Sequence, residues 1–213
     1  NLNFKVAESA YSFMIDTNKY TIPFFVSGYY IPNTSENLSD LRLKFSYNLI
    51  GNNDSSRYIS NPTAEYDDYA ILVDSALEDA YRFIVQRFDM LEFNPCRESG
   101  KTIEVSVEGY ADPRGIYGNA RYVGDEINNE ELNVHIPRGE KMTNKLLSEL
   151  RAYYTVQYLK NKLEKNPLYK KYAASIHWQA IGKGIDEQER ENERKRRVGI
   201  YIKLSDEEVR TGR

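Results

Sequence analysis

The sequence predicts an α/β fold, an α+β sandwich in which helices cover one face of a mixed sheet. Two stretches carry that expectation. Residues 102–110, TIEVSVEGY, place Ile103, Val105 and Val107 on one side and Glu104, Ser106 and Glu108 on the other, the period of a half-buried strand. Residues 144–163, NKLLSELRAYYTVQYLKNKL, space Leu147, Leu150, Tyr154 and Leu159 at helical intervals, with Thr143 or Asn144 available as N-cap. Strands that alternate with helices imply layers built on a mixed sheet.

Taken in order, PFFVSGYYIPN (23–33) reads as a strand. SENLSDLRLKFSYNLI (35–50) suits a helix through Leu38, Leu41 and Phe45 and a strand through Leu41, Leu43, Phe45 and Tyr47, with the balance toward helix. GNNDSSRYISNP (51–62) is turn-rich. From Ala64 to Leu91 the residues Ala70, Val73, Leu77, Tyr81 and Ile84 form a helical stripe, with acidic residues gathered near its start, so a long helix is expected. Residues 115–142 read as a long irregular connection. After the helix at 144–163, SIHWQAIGKG alternates Ile176, Trp178 and Ala180, and VGIYIKL alternates Val198, Ile200, Ile202 and Leu204, predicting two further strands. QERENERKRR (188–197) mixes both signs at nearly every position and reads as a solvated helical or turn surface.

Composition narrows the function. A net charge of −3 and a pI near 5.6 disfavour a phosphate-tracking surface, so nucleic acid is not an expected partner. No apolar run approaches the roughly 18–20 residues needed to cross a bilayer, and no direct membrane span is expected. The chain opens on Asn without a signal-type segment, as expected of a mature or trimmed form of something longer. Cys96 is the single cysteine, which excludes an internal disulfide and a cysteine metal cage. His135 and His177 lie far apart with no second ligand at metal spacing, and no nucleophile motif is present, so neither a metal, a cofactor nor an enzyme is expected. The chain holds 18 tyrosines, whose polar-tipped rings suit half-wet surfaces.

The stretch VEGYADPRG (107–115) ends a strand with Asp112 held in a turn between Gly109 and Gly115. Such a carboxylate can serve as a base, a metal ligand, a cap, a turn-stabilising residue before Pro113 or a counter-ion for a bound cation. On the helix that follows, Asn144, Ser148 and Arg151 fall at i, i+4 and i+7 and share one face over about 10 Å. Arg151 is flanked by apolar residues at 147, 150 and 154, at the border of the buried stripe. It is the candidate partner for Asp112, with an arginine that snorkels or pairs with a local glutamate as the plainer alternative.

VEGYADPRG, then NKLLSELRAYYTVQYL, GKG and NERKRRVGIYI resemble, in order, the motifs of the OmpA-like peptidoglycan-binding domain: G-[HY]-[TA]-D-x-x-G, N-x-x-L-S-x-x-R-A, G-x-G and N-R-R-V. The second motif is complete as Asn144, Leu147, Ser148, Arg151 and Ala152. The resemblance covers residues 100–204, with a weaker reach from 24 onward. It implies a β-α-β-α-β-β domain that holds the cell wall without covalent bonds by gripping the diaminopimelate of the stem peptide. That ligand is a zwitterion, whose ammonium suits a carboxylate and whose carboxylate suits a planar two-pronged donor. By the resemblance, Asp112 and Arg151 form the clamp, aided by Asn144, by Arg196, and by an asparagine near the first strand, Asn33 in preference to Asn18. Lys195 stands where the family has asparagine.

The resemblance further implies a periplasmic, outer-membrane-associated setting in a Gram-negative bacterium, with an outer-membrane protein as a possible partner. The domain is expected over 24–205, after an N-terminal extension (1–23), with insertions at about 34–63 and 116–142 and a tail at 206–213. The second insertion is a flap beside the pocket or a cover over it, and is expected to be mobile. Asp112→Ala and Arg151→Ala are each expected to abolish cell-wall retention with the fold intact. The alternative is a protein-interaction module with an occluded or lost pocket, docking its partner through the Tyr-rich N-terminal region.

Overall fold

The computed structural model describes residues 12–15, 22–50, 58–93, 101–113, 116, 118–187 and 195–206. Cys96, Asn18, Gly115 and residues 188–194 of the mixed-charge run lie outside these. In chain order the elements are β1 (Ser12–Ile15), α1 (Ser35–Ser46), α2 (Tyr66–Phe93), β2 (Lys101–Ala111), β3 (Ile127–Asn129), β4 (Val134–Ile136), α3 (Asn144–Leu163), a single turn α4 (Tyr169–Tyr172), β5 (Ile176–Ile185) and β6 (Val198–Asp206).

The main sheet has the order β1-β6-β2-β5. Strands β2 and β5 run parallel, pairing Val105 with Trp178 and Gly109 with Gly182. Strand β6 is antiparallel to both β2 and β1, so the sheet is mixed as the alternation of elements predicts. Ile103, Val105, Val107, Ile200 and Ile202 point inward and are buried. The opposite face is polar and laced by charge pairs, Lys203 with Glu104 at 2.8 Å across strands and Lys183 with Glu108 at 2.8 Å. Helix α3 packs on β2 and β5, and α2 packs on α3, β6 and β1.

Each helix has local reasons to form. Thr143 caps α3 by accepting from the Leu146 amide at 3.1 Å, and Lys160 and Lys162 sit favourably in its last turn. Asp67 and Asp68 occupy the first turn of α2, whose stripe through Ala70, Val73, Leu77, Ile84 and Phe88 is buried. Thr34 caps α1, accepting from Asn37 at 3.2 Å. The rival strand pattern there fails because Leu43 and Tyr47 are 56% and 72% exposed, while the helical pair Leu38 and Leu41 is buried.

Two expectations need correction. The stretch 23–33 is not a strand, although Phe24, Phe25, Val26, Tyr29 and Tyr30 are all buried. It turns at Gly28, in the left-handed region at φ +75, and the Asn33 amide folds back to bond the Phe24 carbonyl at 2.8 Å. Its apolar density signalled burial, which a looped segment achieves equally well. The sheet's edge strand is instead β1, drawn from the stretch expected to lie outside the domain.

The second correction concerns 116–142, which contains a short hairpin. Strands β3 and β4 form a hairpin pairing Ile127 with Ile136, and Arg121 bridges Lys141 at its base. Tyr122, Ile127, Leu132, Val134, Ile136 and Met142 are buried in the common core. That packing runs against the expected mobility. Three-residue strands are too short to display a period, which is why the pattern is invisible in the sequence.

Candidate functional site

The site grows from a close approach of helix and sheet. A β-carbon at Gly109 would lie 2.0 Å from the Ser148 carbonyl oxygen, and one at Gly182 would lie 2.7 Å from the Glu149 amide nitrogen. These two glycines, paired across β2 and β5, let the α3 backbone settle onto the sheet. Ser148 reinforces the contact, its hydroxyl donating to the Lys145 carbonyl and accepting from the Gly184 amide at 2.8 Å. The next turn of α3 thereby carries Arg151 to the C-terminal end of β2.

Arg151 is wholly buried. Its Nε donates to the Tyr29 carbonyl at 3.0 Å and its Nη1 to the Tyr110 carbonyl at 2.7 Å. The guanidinium lies over the Phe25 ring, 4.7 Å from the centroid, a cation–π arrangement. The sequence placed this side chain at the edge of the buried stripe; the folded segment 22–34 covers it completely.

Asp112 leaves β2 directly and is 7% exposed. The ion pair described for it is with Arg196, from Nη1 to Oδ2 at 3.3 Å, in a setting where Arg196 is itself buried. Arg196 also donates from Nε to the Phe25 carbonyl at 3.2 Å and from Nη2 to the Tyr66 hydroxyl at 3.1 Å. Asn33 joins the group through its amide, which donates to the Tyr66 carbonyl at 3.3 Å. Thus Phe25 touches Arg151 with its ring and Arg196 with its backbone, and Tyr66 touches Arg196 and Asn33. Asn144 stands apart, half-exposed at the first turn of α3, about 10 Å along the axis from Arg151.

Beside this group lies a second charged one. Arg197, the next residue, has different partners from Arg196. Its Nε donates to Asp186 at 2.7 Å and its guanidinium lies 4.2 Å from the Tyr110 ring centroid. The Tyr110 hydroxyl donates to Glu108 at 2.8 Å, and burial, aided by that carboxylate, pushes its pKa up. Arg196 and Arg197 therefore correct the solvated-surface reading of 188–197 at its described end. Phe25, Tyr66 and Asp186 had no distinguishing signal in the sequence, because their roles depend on backbone carbonyls and on elements far away in the chain.

Among the described residues no set of three His, Cys, Asp or Glu side chains is placed to hold a metal ion. No protein-family model matches the chain, and no curated protein matches it. Among solved structures it is similar to a protein from Desulfovibrio vulgaris described as MotB-like, at 16% identity and a TM-score of 0.33, over 66% of this chain and 64% of that one. The chain thus spans less than two thirds of that protein's length.

Proposed function

We propose that the chain binds the stem peptide of peptidoglycan, anchoring an envelope protein to the cell wall, with Asp112 taking the diaminopimelate ammonium and Arg151 its carboxylate. Arg196, Asn33 and Asn144 are proposed to frame the ligand, in a periplasmic setting at the outer membrane of a Gram-negative bacterium. One observation supports the reading: Asp112, Arg151, Arg196 and Asn33, from four separate stretches, converge on Phe25, Tyr66 and the end of β2. Burying several charges together is costly, and such clusters gather at functional sites. The Asp112–Arg196 approach, 3.3 Å, is longer than the roughly 2.7–2.9 Å of a strong charge-assisted bond, so an incoming ammonium can compete for the carboxylate. Access to Arg151 requires segment 22–34 to lift, since the Phe25 ring and the Tyr29 carbonyl cover it. A few such contacts give micromolar to millimolar affinity, and many copies on one polymer make it effective.

The burial of Asp112 and Arg151 favours one other reading, an interaction module on this fold with a closed pocket. Sedimentation with purified sacculi separates the two. Because alanine at either position would leave a buried partner unsatisfied, the informative variant is the isosteric Asp112→Asn, with its melting temperature measured alongside. Retention of the parent chain and its loss in folded Asp112→Asn is the expected result. A folded parent chain that stays in the supernatant would remove the peptidoglycan reading and leave the interaction module.

A further inference from the structure

A cavity lies between segment 29–31, the end of α1 and the 121–139 region, with a volume of about 720 Å³. It falls within the range of roughly 300–1,000 Å³ usual for small-ligand sites. None of Asp112, Arg151, Arg196, Asn33 or Asn144 lines it. Its charge is opposite to that of the whole chain. The net charge of the sequence is −3, yet the lining carries Arg121, Arg138 and Lys44 against Asp125 as the one acidic residue. Lys44 is shared with Asp40 at 2.6 Å, so the two arginines set the local field. Arg121 is steadied by a bond from Nη1 to the Gly139 carbonyl at 3.2 Å, and among the described residues neither arginine forms an ion pair. The wall combines tyrosines with the aliphatic side chains of Ile31, Leu49, Ile50 and Ile59; Tyr30 packs against Tyr122 and Tyr154, with centroids 5.5 and 5.1 Å away, and the Tyr122 and Tyr154 hydroxyls are 2.9 Å apart.

Two arginines at the rim of a tyrosine-walled cavity provide a fork for an anion, while hydroxyls, ring edges and the Asp125 carboxylate provide partners for a hydroxyl-bearing body. We propose that this cavity binds a small organic anion of the acidic-sugar class, its carboxylate held by Arg121 and Arg138 and its hydroxyls by the tyrosine wall and Asp125. This goes beyond peptidoglycan-peptide recognition and uses none of the residues assigned to it.

Titration followed by amide chemical shifts tests the proposal, with glucuronate, glucose and inorganic phosphate as separate probes. Saturable shifts confined to 29–31, 121–125 and 138–139 are expected with glucuronate and absent with glucose. Arg138→Gln is expected to weaken glucuronate by about tenfold or more, the loss of one charge-assisted contact, with the melting temperature unchanged. Arg121→Gln should act likewise, and Arg138, which has no bond to the loop backbone, serves as the variant free of folding effects. Equal responses to glucuronate and glucose, a response to phosphate alone, undiminished binding in Arg138→Gln, or no response to any probe would each overturn it.

Discussion

Two regions of this molecule use arginine in opposite ways. At the end of β2, Arg151 and Arg196 are buried and bound to backbone carbonyls, an aromatic ring and, for Arg196, a carboxylate. In the tyrosine cavity, Arg121 and Arg138 are exposed at the rim, and the buried part is uncharged, made of tyrosine rings and Ile59. The same side chain is costly to disturb in the first region, and less so in the second. A charge taken out of water depends on every partner it has, whereas one at the rim remains hydrated and contributes only when something arrives to meet it.

That contrast can be broken in four ways, in falling order of effect. Arg196→Met leaves Asp112 buried without its arginine and is expected to lower unfolding free energy by about 3–5 kcal/mol in urea denaturation. A loss below about 1 kcal/mol would show that the pair is far better hydrated than its burial implies. Gly109→Ala forces a methyl against the Ser148 carbonyl and should cost about 1–3 kcal/mol, with shifted resonances along α3. Tyr122→Phe removes the hydroxyl pair with Tyr154 and should cost about 1 kcal/mol in thermal unfolding, leaving sacculus retention unaltered.

The smallest effect concerns an ion pair between α2 and α3. Glu78 pairs with Lys162 and with Arg82, and the hydrogen bond from Lys162 chiefly holds its carboxyl below the usual range. Its folded pKa is depressed, so its contribution is present above the ordinary carboxylate pKa and fades as pH falls through the folded value. Glu78→Gln should therefore cost about 0.5 kcal/mol near neutrality and nothing once the carboxyl is protonated, in paired melts at pH 7 and pH 3. A difference that persists undiminished in acid would point to packing and not charge.

Much of the fold was legible because its signals are local. The alternation of Ile103, Val105 and Val107 and the stripe from Leu147 to Leu159 each span enough residues to display their period, and Thr143 marked the start of α3. The hairpin at 127–136 was hidden because its strands are only three residues long. The loop at 22–34 misled because burial on all sides looks, in one dimension, like a buried strand. For the site, Asp112 and Arg151 were reached by motif order, yet nothing in the chain announces that Arg196 is the described ion-pair partner of Asp112, since residues so distant in sequence meet only through the sheet.

The sequence by itself determined the α/β class, a long helix placed over 64–91 and the helix at 144–163, the central strand and the charged residues worth watching, because periodicity, capping and side-chain chemistry are properties of neighbouring residues. Tertiary structure alone decided which carbonyls hold each guanidinium, that segment 22–34 closes over Arg151, and that residues 121–139 meet segment 29–31 and the end of α1 around a cavity. Burial and long-range pairing are set by how elements pack, and the cost of an unsatisfied charge, which ranks those residues, exists only once water has been excluded.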